Sequence, residues 1–175
     1  MHQTILTLVI LLLIAQTVLA VVLEDGDYKI YYGSWHAPEK YRYFTAKPNK
    51  RDGYVLTYLN EGDDYQIWRL KNWANDQVTL ESKGAPSKYL GLRNSDASPG
   101  ADLGVNHKPV KFRITRKRGF RFTNYELAYP KKVDGDTLVV SLATGDGREQ
   151  PYFVNLAIQG TEGAFGAFKM SRVSD

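Results

Sequence analysis

Tyr65-Gln66-Ile67-Trp68-Arg69-Leu70 is the stretch that decides the fold. It reads Gln, any residue, aromatic, any residue, aliphatic. Val110-Lys111-Phe112-Arg113-Ile114 keeps the aromatic and the aliphatic, with Val in place of Gln, and Gln150-Pro151-Tyr152-Phe153-Val154 keeps all three. The aromatics stand at 68, 112 and 152, so the unit recurs at about forty residues, the period of a repeat architecture. Alternate side chains of an extended strand share a face. Each aromatic and the aliphatic two residues on therefore point into a core, while Arg69, Arg113 and Phe153 point away.

Around these anchors the chain divides into three blocks of four short strands. In the first block the strands are Asp27 to Tyr32, Tyr41 to Thr45, Gly53 to Leu59 and the Trp68 segment. In the second they are Gln77 to Glu81, Lys88 to Leu92, Ala101 to Val105 and the Phe112 segment. In the third they are Phe120 to Thr123, Tyr125 to Tyr129, Asp136 to Leu142 and the Tyr152 segment. The runs are rich in Tyr, Val, Ile and Thr, which suit a pleated, half-buried surface. Asp25-Gly26, Asp52-Gly53 and Glu61-Gly62-Asp63 supply turns. No stretch carries sustained helical periodicity with caps. The expectation is an all-β chain of twelve short strands in three pseudo-repeats. Closing such a sheet into a barrel removes its exposed edges. The pattern resembles the β-trefoil, in which six strands form a barrel and three hairpins cap it.

Residues 1–20 contain no Lys, Arg, Asp or Glu, and Ile5 to Ile14 is almost unbroken apolar sequence ending in Val18-Leu19-Ala20. That is the shape of a secretory signal peptide cut after Ala20. A retained membrane anchor is the competing reading, for which the run is short and lacks a basic stop-transfer cluster. Residues 21–158 are expected to be the trefoil. Residues 159–175 are read as a Gly- and Ala-rich tail, part of which completes the last strand through Phe165 and Phe168, the rest being unordered. The expected product is secreted and extracellular, free of the membrane after cleavage, and a monomer.

The sequence has no Cys, so its core closes by packing and hydrogen bonding alone. A net charge of +4 is a mild basic excess and weak evidence for nucleic acid, which is not an expected partner. Neither His36 nor His107 lies in a metal-ligand spacing. There is no nucleophile elbow and no phosphate loop. The Asp-Gly turns do not fit a calcium loop and read as ordinary β-turns. No catalytic residue, metal or cofactor is expected, and the chain is read as a binding protein, not an enzyme.

Three sets of side chains stand out as contacts. Arg113, Arg116, Lys117, Arg118 and Arg121 form the densest basic run, which either faces an acidic partner or simply solvates a hairpin. Trp35 and Trp73 lie outside the repeat positions and are candidate ligand-contact aromatics. Asn49, Lys50, Arg51 and Arg148 sit on turn-rich loops.

Leu23-Glu24-Asp25-Gly26-Asp27-Tyr28-Lys29-Ile30, and Trp68-Arg69-Leu70 followed by Val78-Thr79-Leu80-Glu81-Ser82-Lys83-Gly84-Ala85-Pro86, are similar to the fungal trefoil peptidase inhibitors of the cospin and cnispin type, with the mycocypins more distant. The resemblance implies a secreted inhibitor of a trypsin-like serine protease. Lys50, Arg51 or Arg148 would fill the specificity pocket from a loop already held in a substrate-like shape. Gln66 and Trp68 also resemble the core motif of the ricin-B-type lectins, which implies a glycan partner instead. A secreted fungal effector with another protein partner is the third expectation.

Overall fold

The structure is a computed structural model, and it describes residues 23–33, 41–47, 53–94, 96–118, 123–142, 152–161 and 166–174. The leader, Trp35, Asn49, Lys50, Arg51, Phe120, Phe122, Arg148 and Phe165 lie outside the described residues.

Among the described residues twelve strands follow in order: β1 Gly26–Tyr32, β2 Arg42–Lys47, β3 Tyr54–Tyr58, β4 Trp68–Trp73, β5 Gln77–Ser82, β6 Tyr89–Leu92, β7 Leu103–Asn106, β8 Phe112–Arg118, β9 Thr123–Ala128, β10 Leu138–Leu142, β11 Val154–Ile158 and β12 Lys169–Arg172. A 3-10 turn, Asp64–Gln66, leads into β4. Six strands close on themselves. β1 pairs with β4, β4 with β5, β5 with β8 and β8 with β9. β9 meets Phe168 through Tyr125, and β12 returns to β1. The other six form the hairpins β2–β3, β6–β7 and β10–β11. The hairpins meet through Tyr54 opposite Gly104, Leu56 opposite Phe153 and Asp102 opposite Asn155. This is the β-trefoil expected from the strand pattern.

Two parts of the sequence reading are corrected. Among the described residues of the third block, the expected break between a strand ending at Thr123 and another beginning at Tyr125 is absent. Thr123 to Ala128 is one continuous strand, because nothing in Thr123-Asn124-Tyr125 breaks the ladder that pairs it with β8. The third member of the core set is accordingly not Tyr152. Tyr152 is only partly buried, at the entry to hairpin strand β11. The equivalent of Trp68 and Phe112 is Phe168, and all three are essentially excluded from solvent. Gly166-Ala167-Phe168-Lys169-Met170 follows the same pattern as the other two units, with Gly in place of Gln or Val. The 159–175 tail therefore does not extend the last hairpin strand. Its residues 169–172 form β12, which lies against Tyr28 to Tyr31 of β1 and closes the barrel.

The core is continuous. Ile30, Phe44, Leu70, Leu80, Leu90, Leu103, Leu138 and Leu156 are fully or almost fully buried around the three aromatics. Phe168 meets Phe44 edge-on, 4.7 Å between ring centroids. Gln66, which the repeat placed next to the core, is fully buried. Its Nε2 donates to Leu59 O at 2.7 Å and Thr45 Oγ1 at 3.1 Å, and its Oε1 accepts from the Glu61 amide at 2.9 Å. The Trp68 indole donates to Phe44 O at 2.9 Å. The motif thus staples the 3-10 turn and β4 to the first hairpin with buried, satisfied polar groups.

On the outer side of β1 and β2, Tyr31 stacks on Tyr41 at 5.0 Å and lies against Tyr43 at 5.2 Å. Burial pushes the Tyr31 hydroxyl above its ordinary value of 10.0, and the neighbouring Tyr41 and Tyr43 push it further. Burial also raises Tyr43 and Tyr32. A phenol whose folded value is raised contributes stability that is fully present below its unfolded value and lost as pH rises through the folded one. Urea unfolding is expected to show no tyrosine-linked change up to the unfolded value of 10.0 and a falling midpoint above it. Tyr31→Phe should flatten that fall, whereas an unchanged alkaline limb in Tyr31→Phe would assign it elsewhere.

Candidate functional site

The loops carrying Asn49, Lys50, Arg51 and Arg148, and the Trp35 segment, lie outside the described residues. Of the candidate contact residues, Trp73 is described. It ends β4, is 41% exposed, and donates its indole N–H to Thr79 Oγ1 at 3.2 Å. The ammonium of Lys111 stands 3.8 Å from its ring centroid and that of Lys71 4.9 Å. Within the basic run, Lys117 pairs with Glu126 at 3.1 Å and Arg116 donates to Thr123 Oγ1. Those two therefore serve the β8–β9 hairpin, as the plainer reading of the run expects.

The segments that resemble the peptidase inhibitors are occupied with structure. The Gly84 amide donates to Asp64 O at 2.9 Å. A Cβ on Gly84 would stand 2.7 Å from the Tyr65 amide nitrogen, so glycine is needed for this close approach. In the N-terminal segment, Asp25 accepts from the Asn72 amide at 2.7 Å and Asp27 pairs with Arg69 at 3.3 Å and Lys83 at 3.4 Å. Both motifs tie the first repeat to the second.

The hairpin cap carries a second group of exposed and charged side chains that the sequence did not single out. Phe153 is an outward-facing ring, 42% exposed, while Val154 beside it is fully buried. Tyr54 meets Phe153 edge-on at 5.3 Å. The Arg93 guanidinium lies 3.7 Å from the Tyr54 ring centroid and pairs with Asp102 at 3.5 Å. Asn155 shares the outward face of its strand with Phe153 and stands opposite Asp102. Its side-chain Oδ1 is buried and accepts no hydrogen bond from the described residues.

Each of the three hairpins contributes. Tyr54 comes from β3, Arg93 and Asp102 flank the β6–β7 turn, and Phe153 and Asn155 come from β11 and its entry. Gly53, just before Tyr54, adopts φ 51° and its absent side chain lets Val105 O approach, where a Cβ would stand at 2.8 Å. Chemically the surface of the group offers an apolar ring, a carboxylate acceptor and a guanidinium donor, with the Asn155 amide oxygen buried behind them. Pyranoses are recognised through those features, by C–H groups packed on a ring and hydroxyls shared between acceptors and donors. The clue in the sequence was parity: if Tyr152 and Val154 face inward, Phe153 faces out.

No protein-family model and no curated protein matches the sequence. Solved structures do match in shape. A ricin B-like lectin from Macrolepiota procera, described in complex with lactose, superposes with a TM-score of 0.66 at 20% identity, over 88% of this chain and 100% of that one. The Rhizoctonia solani agglutinin gives 0.66 at 15% identity, over 88% and 99%. The chain shares its fold with the ricin B-like lectins. A designed threefold-symmetric protein, ThreeFoil, matches at 0.61 with 17% identity, over 85% of this chain and all of that one. The trefoil thus has lectins and a symmetric design among its structural neighbours, and the peptidase-inhibitor resemblance gains no support from these three.

Proposed function

We propose that this trefoil is a non-catalytic carbohydrate-binding module whose sugar contact is the hairpin-cap group Tyr54, Arg93, Asp102, Phe153 and Asn155. The observation that carries the reading is the exposed Phe153 ring, joined through Tyr54 and Arg93 to the Asp102 carboxylate, in a fold shared with lectins. The ring takes the apolar face of a pyranose, and Asp102 accepts from its hydroxyls. Arg93 holds Asp102 in position and donates. The core packing keeps the hairpins rigid, so little ordering is required when the ligand arrives.

A glycan array probed with the protein from residue 21 onward tests this, with lactose among the free sugars used to compete. Phe153→Ala and Asp102→Ala are each expected to weaken binding about tenfold or more, the equivalent of one good polar or stacking contact. Trp73→Ala should leave binding of neutral glycans unchanged. Absence of binding to any glycan, or full binding by Phe153→Ala, contradicts the proposal. A panel of trypsin-like proteases run beside the array tests the inhibitory loops at Lys50, Arg51 and Arg148, and inhibition there without glycan binding would replace the carbohydrate reading with the inhibitor one.

A further inference from the structure

A different face of the barrel combines an exposed indole with positive charge that no carboxylate neutralises among the described residues. Arg69, Lys71 and Trp73 alternate outward along β4. Trp73 stands opposite Gln77 of β5, and Gln77 stands opposite Arg113 of β8. The register therefore sets Trp73 and Arg113 on one outer surface, two strands apart, and the Lys111 ammonium reaches across to the indole. The Trp73 side chain lies over Thr79, an outward-facing residue that is almost fully buried beneath it. The hydrogen bond to Thr79 fixes the polar edge of the indole and leaves 41% of the residue exposed.

Lys71, Lys111 and Arg113 are all exposed, and none makes an ion pair among the described residues. Carboxylates on these strands or on their neighbours are engaged elsewhere. Asp25 accepts from Asn72, Glu81 from the Ser87 amide, and Glu126 from Lys117 and Gln159. Asp76 stands exposed in the adjoining turn and pairs with none of the three cations. Within the same run Lys117 and Arg116 are spent on the β8–β9 hairpin, whereas Arg113 is left with charge to offer among the described residues.

We infer that the face formed by Trp73, Lys71, Lys111 and Arg113 binds an acidic glycan, a chain bearing carboxylate or sulfate groups. A pyranose packs its C–H face on the exposed part of the indole. Its acidic substituent, which projects from the rim of the sugar ring, draws the Lys111 and Lys71 ammonium groups off the ring they now cover, and the sugar takes their place on it. Arg113 lies on β8, two strands from Trp73, and takes the acid group of a neighbouring sugar residue, to which its planar fork is suited. A single aromatic flanked by cations fits a glycan better than single-stranded RNA, which is held by successive stacking platforms along a charged groove. The choice of a carbohydrate ligand rests on the proposed function, but the residues are separate from those of the hairpin cap.

The test is binding of a sulfated heparin oligosaccharide, with a neutral chito-oligosaccharide and polyuridylic acid of matched charge as the other arms. Heparin is expected to bind with an affinity that falls as salt rises, since ion pairs at an exposed surface are screened. Trp73→Ala and the double variant Lys71→Gln/Lys111→Gln are each expected to weaken it about tenfold or more. Lys111→Arg should retain it, and Phe153→Ala should leave it unchanged. Equal binding of polyuridylic acid, loss-free binding by Trp73→Ala, or no binding of heparin would each overturn the inference. Neutral-glycan binding that disappears in Phe153→Ala but survives in Trp73→Ala keeps the hairpin-cap reading standing whatever happens here.

Discussion

Phe168→Ala is expected to lower the unfolding free energy by about 3–5 kcal/mol, the usual cost of emptying a large aromatic site in a packed core. Phe168 is almost wholly buried, meets Phe44 edge-on, and holds Tyr125 through reciprocal backbone hydrogen bonds of 2.7 and 2.8 Å. Such a loss is a large share of the roughly 5–15 kcal/mol that holds a domain together. Each kcal/mol moves the melting temperature of a domain this size by about 2–4 °C, so thermal unfolding reads the effect directly. Tyr152→Ala is the control. If Tyr152 rather than Phe168 completed the core triad, the ranking of the two variants would reverse.

Truncation after Gly160 has a larger expected effect. It removes Phe168 and all of β12, whose residues 169–172 pair with Tyr28 to Tyr31. It also removes the Arg172–Glu24 ion pair and the Val173 amide bond to Asp27 O. The barrel is then open between β1 and β9, with an unpaired strand edge that invites association. The expected product is insoluble or lacks cooperative unfolding. A truncated chain that is monomeric and melts cooperatively near the full-length temperature would show that the last strand is dispensable.

Both predictions turn on a place where the sequence misled. Eleven of the twelve described strands, three blocks and two of the three core aromatics were legible, because Trp68 and Phe112 lie in strands with clean alternation. The third unit was obscured by two near matches. Gln150-Pro151-Tyr152 carries the motif letters but introduces a hairpin strand, and Gly166-Ala167-Phe168 is the barrel unit without the Gln. Gln66 shows why the letters are a poor guide. Its amide satisfies Leu59 O, Thr45 and the Glu61 amide of this particular hairpin, whereas Val110 and Gly166 show that the other repeats manage without that staple.

The contact surfaces were less legible for a related reason. Strand parity says which side chains face outward, and so marks Trp73 and Phe153. It does not say which outward side chains become neighbours, because that depends on how separate strands meet. Arg93, Asp102 and Tyr54 join Phe153 only through contacts among three hairpins distant in sequence. Lys71 and Lys111 meet over Trp73 because β5 lies between β4 and β8.

The proposed carbohydrate site is tested most directly by amide chemical-shift mapping of the isotope-labelled protein, titrated with the neutral glycan that the array selects, or with lactose. Shifts that saturate and concentrate at Tyr54, Arg93, Asp102, Phe153 and Asn155, and that vanish in Phe153→Ala, are the predicted result. Saturable shifts centred on another part of the barrel, or none at any glycan concentration, would contradict it.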